Sequence, residues 1–157
     1  MIKKFTLKNW VPVIILMLMI FMFSSQPATM SNNLSYGFTK VLVDVLGKVL
    51  PFNIETSTIN AFLSQLNHII RKLAHFTIYL ILGIFVARAL IKDGVNNKVY
   101  IIAFLICVLY AISDEFHQLY VPGRGGQLKD VLIDSAGSLV GITISKVYIV
   151  LIKEKSY

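Results

Sequence analysis

Four blocks of apolar residues, roughly 9–25, 73–91, 99–120 and 131–152, limit what this chain can fold into. Each is close to the roughly 20 helical residues that cross the hydrocarbon core of a bilayer. Backbone facing lipid must satisfy its own hydrogen bonds, so blocks of this length are predicted to be helices. Composition agrees: 56% of the 157 residues are hydrophobic and 15% are charged, against about 45–50% and about 25% in a soluble domain. The expectation is an all-α polytopic membrane protein, one domain over residues 1–157, with four transmembrane helices.

The net charge of +7 would raise the question of nucleic acid in a soluble protein. Here most Lys and Arg stand at the ends of apolar blocks, where they orient helices against a lipid surface. Membrane lipid, and no nucleic acid, is the expected partner. Cys107 is the single cysteine, so neither an intramolecular disulfide nor a cysteine-based metal site is expected.

The first block resembles a signal peptide, with Lys3, Lys4 and Lys8 ahead of the run Trp10–Phe23. The next residues, Ser24-Ser25-Gln26-Pro27-Ala28-Thr29, form a poor small-x-small cleavage site because Gln26 lies two residues before Ala28. A retained helix is expected.

Segment 26–72 is more than a linker. Phe38, Val41, Leu42, Val45, Leu46 and Val49 recur at helical spacing, opposite Lys40, Asp44 and Lys48. This predicts an amphipathic interfacial helix over 34–50, between the first and second spans and stopped by Pro51. A second stripe, from Ile59 through Leu66 to Leu73, runs unbroken into the second block. It predicts one long helix from about 57 to 91, with Thr56 or Ser57 as N-cap. Turn signals at Asp93-Gly94 and at Pro122-Gly123-Arg124-Gly125-Gly126 separate the later blocks.

Nine Lys and Arg fall on the side of the termini and six on the other. That bias predicts a multi-pass protein of the cell membrane with both termini in the cytoplasm. On this topology the unusual polar residues gather at the extracytoplasmic end. Ser24, Ser25 and Gln26 end block one; Arg71, Lys72 and His75 begin block two; Asp114, Glu115, His117 and Gln118 end block three; Arg124, Lys129, Asp130 and Asp134 begin block four. The cytoplasmic end reads as snorkelling cations and solvated turns.

Spacing suggests how these groups meet. Arg71 and His75 share a helix face that Tyr79 extends, Asp114 and Gln118 share another, and Asp130 and Asp134 a third. Gly137 and Gly141 continue that third line and would let helices approach closely. Charge within a span costs at least about 2.5–3.5 kcal/mol at its centre, so such a group calls for partners. The residues leave the chemistry open. Cations at helix ends could hold a phosphate, a Glu with a nearby His could act as acid and base, and His with carboxylates could bind a divalent metal. A structural ion-pair network is the bland alternative. No compact ligand motif appears, so no metal site is expected, and the residues name no cofactor. His117, one position off the Asp114–Gln118 face, and His68, at the edge of the amphipathic stripe, read as structural.

These residues also carry a resemblance. Phe23-Ser24-Ser25-Gln26, Arg71-Lys72-Leu73-Ala74-His75-Phe76, Ser113-Asp114-Glu115-Phe116-His117-Gln118, Val121-Pro122-Gly123-Arg124 and Asp130-Val131-Leu132-Ile133-Asp134-Ser135-Ala136-Gly137 occur in order. The chain resembles the VanZ-like family of bacterial membrane proteins. The resemblance implies a role in resistance to glycopeptide antibiotics, teicoplanin above all, and supplies no catalytic mechanism.

Two functional classes fit these residues. In the first, the polar end is an outer-leaflet site for an anionic amphiphile, such as a lipid-linked cell-wall precursor or a lipoglycopeptide. Arg71, Lys72 and Arg124 would hold the headgroup, with Asp114, Gln118, Asp130 and Gln26 lining the site. His75 and Glu115 would transfer a proton, with Asp134 orienting His75. Whether such a site is enzymatic stays open. In the second class the cluster only locks the bundle together, and segment 34–50 meets a partner or the membrane surface.

Overall fold

In the computed structural model of this chain, the residues described are 6–30, 33, 36, 37, 39–41, 45, 56–95 and 98–154. Four long helices carry the fold: α1 (Leu7–Ser24), α2 (Thr56–Lys92), α3 (Val99–Gln118) and α4 (Leu128–Glu154). All four contain a stretch long and apolar enough to cross a membrane: Leu7–Ser24, Gln65–Lys92, Val99–Gln118 and Leu128–Leu151. The chain is a multi-pass membrane protein of helices.

The second span lies in one unbroken helix, Thr56–Lys92, as the apolar stripe predicts, so Arg71, Lys72 and His75 sit inside it. One boundary differs usefully from expectation. The fourth begins at Leu128, which puts Asp130 in its first turn and Asp134 one turn deeper. The expected interfacial helix over 34–50 lies mostly outside the described residues; 36–37 and 39–41 are helical, with Val41 and Val45 exposed.

The helices pack through small side chains. Ala87, Ala103, Cys107 and Ala111 are buried at the centre with Tyr79, Leu82 and Val86, while Leu18, Met22, Leu105, Leu109 and Leu139 point outward. Lipid replaces water around such a bundle, so apolar outer faces are expected and close backbone approach does the packing. The α2–α4 pair is the most extensive contact. A Cβ at Gly137 would strike the carbonyl of Phe76, and one at Gly141 that of Leu80; Gly83 meets Ser138 in the same way from the other helix. Hydroxyls on the outer faces turn back to their own helices. Thr77 Oγ1 donates to Leu73 O at 2.7 Å and Thr143 Oγ1 to Leu139 O at 2.8 Å. Neither leaves an unpaired donor facing lipid.

At the end bearing the N-terminus of α1, Asp93 ties that helix to the α2–α3 turn. Asn9 Nδ2 donates to its Oδ1 at 2.6 Å and Trp10 Nε1 to its Oδ2 at 2.8 Å. Asp93 is buried, so this turn is not the solvated one that Asp93-Gly94 suggested. The bonds from Trp10 and then Asn9 hold the Asp93 carboxyl below its ordinary pKa. A carboxylate favoured in the fold stabilises it fully above its unfolded pKa of about 3.9, and that contribution disappears as pH falls through the lower folded value. We expect Asp93→Ala to lower the melting temperature in detergent at neutral pH, Asp93→Asn to fall between it and wild type, and the gap to close under strong acid. Equal melting of all three at neutral pH would show that this tie does not stabilise the bundle.

Candidate functional site

The polar residues do converge at the opposite end, where α1 finishes, α3 finishes and α4 begins. The α3–α4 connection folds back over the C-terminus of α3. Glu115 Oε2 accepts the backbone N–H of Gln127 at 2.8 Å, which fixes the entry into α4. Arg124, in the same connection, donates from Nη2 to the carbonyl of Phe23 at 3.2 Å and so closes the end of α1 onto the loop. Burial, then the Arg71 charge, lowers the Arg124 guanidinium from its ordinary pKa, with Asp114 and Glu115 opposing the shift. A guanidinium stays protonated regardless.

Beneath that loop, Asp114, Glu115 and Asp134 form one cluster. They are 2%, 5% and 0% exposed. One oxygen from each lies within 4.8 Å of the others. Asp114 and Glu115 are adjacent on the last turns of α3; Asp134 reaches them from α4, which the glycine contacts draw close to α2. His75 approaches from α2, its Nδ1 3.7 Å from Asp134 Oδ1. That is an ion-pair distance if the ring is protonated and too long for a hydrogen bond.

The hydrogen bonding here is half complete. Gln118 Nε2 donates to Asp114 Oδ2 at 3.3 Å. Asp114 Oδ1, Glu115 Oε1, both oxygens of Asp134 and His75 Nδ1 are buried with no hydrogen-bond partner in the structure, and so are the hydroxyls of Ser24 and Tyr79. Buried charges without partners are strongly unfavourable, by several kcal/mol per ion even after relaxation. So many in one place make this end the candidate functional site.

The remaining expected residues divide. Lys72 pairs with Asp130, tying α2 to the first turn of α4 beside the acids. Arg71 is half-buried one position earlier. Gln118 serves Asp114. Gln26 is half-buried just past α1. His117 turns the other way: its Nε2 lies 3.1 Å from Ser25 Oγ, and its ring stacks on Phe21 at 4.4 Å between centroids. It anchors α3 to α1 outside the cluster. His68 is exposed. Ser24 and Tyr79 belong to the site although neither was expected to carry chemistry; the polar end to α1 and the i+4 step from His75 were the available signals.

Along α2, immediately beside these residues, runs a shallow groove lined by Ile70, Leu73, Ala74, Thr77, Ile78 and Ile81. With the Thr77 hydroxyl turned inward, its lining is almost wholly apolar.

Compared with known proteins, residues 9–151 match the family model described as VanZ/LLP1. No curated protein and no solved structure matches the chain.

Proposed function

The chain belongs to the VanZ/LLP1 family, and from that premise we propose that its polar end binds, and in one form of the reading modifies, an anionic amphiphile at the outer leaflet. The observation that carries this is the arrangement of cations around a half-satisfied acid–imidazole cluster, beside an apolar groove on the same helix. Arg71, Lys72 and Arg124 supply the charge for a phosphate or carboxylate headgroup. The groove from Ile70 to Ile81 suits a hydrocarbon tail. The cation bias of the loops supports an outer-leaflet position, with both termini in the cytoplasm.

A lipid-linked cell-wall precursor and a lipidated glycopeptide both have this form, an anionic head on an apolar tail. The family resemblance to teicoplanin resistance fits either. For a chemical step, Glu115 and His75 are the proton-transfer pair, and Asp134 orients His75. The 3.7 Å separation of His75 and Asp134 is one that ligand binding can tighten.

The second reading, a scaffold of ion pairs, is favoured by the Lys72–Asp130 contact. It leaves the unpartnered oxygens of Asp114, Glu115 and Asp134 without a reason. Teicoplanin susceptibility of a sensitive Gram-positive host separates the two. The host expresses the chain, or its Glu115→Gln or His75→Ala variant, with abundance measured in the same membranes. Protection by wild type that equally abundant variants lack supports a working site. Variants that protect as well as wild type make the cluster a scaffold.

A further inference from the structure

We propose that Asp114, Glu115 and Asp134 hold one divalent cation of the Mg²⁺/Mn²⁺ class, with His75 at its edge. Only the cation's purpose, bridging the acids to an anionic headgroup, rests on the amphiphile reading of this site; the cation's place rests on geometry.

Three oxygens from three buried carboxylates lie within 4.8 Å of one another. In the octahedral shell of a Mg²⁺ ion, with bonds of about 2.0–2.1 Å, neighbouring ligand oxygens stand about 2.9 Å apart and opposite ones about 4 Å, so these oxygens draw together when they close on an ion. The two acids of α3 are each held by their other oxygen. Gln118 donates to Asp114 Oδ2 and the Gln127 N–H to Glu115 Oε2, while Oδ1 and Oε1 have no partner. That is how supporting hydrogen bonds orient metal ligands: one oxygen fixed, the other presented. Asp134, 0% exposed, presents two unpartnered oxygens.

A second observation comes from outside the three acids. The hydroxyl of Tyr79, 0% exposed and one turn along α2 from His75, is buried without a hydrogen-bond partner. The Ser24 hydroxyl, 2% exposed, stands at the Asp114 carboxylate from the end of α1. Hydroxyls in those places can bind the waters that a hard cation keeps in its shell.

Lys72 bonds to Asp130, and Arg124 donates to Phe23 O. The donor set is carboxylate oxygen with one imidazole and no thiolate, which selects the hard divalent ions.

The test uses the full chain purified in neutral detergent and stripped with a chelator. Mn²⁺ is titrated in, and the free ion is followed by its paramagnetic resonance signal. Wild type is expected to bind one ion per chain, displaced by excess Mg²⁺. Asp134→Asn and Glu115→Gln are expected to bind at least tenfold more weakly, and His68→Gln, an exposed position outside the cluster, to bind as wild type does. Should Asp134→Asn fail to fold, Glu115→Gln carries the comparison, since its amide oxygen can still accept the Gln127 N–H. Absence of saturable Mn²⁺ binding by wild type, or equal binding by the cluster variants, overturns the proposal. Dodecyl phosphate is titrated into the same stripped sample, so the amphiphile reading is measured separately from the cation.

Discussion

Glu115→Gln is expected to stay in the membrane at wild-type abundance and to lose at least tenfold of any protection the wild type gives. The reason is local. Glu115 Oε2 accepts one backbone bond, from Gln127 at 2.8 Å, and an amide oxygen can accept it equally well. The other oxygen has no partner to lose. The fold therefore gives up little, and relief of repulsion from Asp114 and Asp134 offsets part of that. What disappears is a carboxyl group and, on the proposed reading, a proton-transfer group. Where such a group acts as general acid or base, its removal costs roughly 10²–10⁴-fold in rate. A scaffold predicts the reverse, because removing one partner of a buried network destabilises by about 3–5 kcal/mol and abundance falls with function.

Gly141→Leu has the largest expected effect on the fold. Even the Cβ of an alanine at this position would collide with the Leu80 carbonyl, which belongs to the backbone of α2 and cannot rotate away. Overpacking costs roughly 1–3 kcal/mol where a core can adjust, and two helices held backbone to backbone adjust poorly. The variant should show strongly reduced membrane abundance and a lower melting temperature, with Gly141→Ala intermediate. Gly137→Ala should act like Gly141→Ala, since it meets Phe76 one turn nearer the site. The same spacing sets the distance between His75 and Asp134, so surviving Gly137→Ala protein should also be functionally impaired. Wild-type melting of Gly141→Leu would show that α2 and α4 do not pack as described.

Much of this architecture is written in local patterns. Lengths of apolar sequence mark the four spans, and the unbroken stripe into block two marks the long helix Thr56–Lys92. Gly137 and Gly141, in line with Asp134, mark the face of α4 that meets α2. The i+4 step from Arg71 to His75 points that side chain inward. The unread features depend on which helix lies beside which. Asp114 and Glu115 meet Asp134 only because α4 returns against α3, and no spacing within one helix states that. Asp93-Gly94 has the form of a solvated turn, and only the return of Asn9 and Trp10 buries it. His117 stands one residue from the Asp114–Gln118 face, enough on a helix to turn it to Phe21 instead.

Whether cations at the polar end receive an anionic headgroup is tested most directly by calorimetric titration of dodecyl phosphate into the purified chain and its Arg124→Gln variant. Arg124 stands in the α3–α4 connection, and its described side-chain bond, to Phe23 O, ties that loop to the end of α1. Wild type is expected to bind saturably, one to one, and the variant about tenfold more weakly, the loss of one charge-assisted contact of about 1.5–3 kcal/mol. No saturable binding, or equal affinity in the two proteins with both folded, would contradict a headgroup site at this end of the bundle.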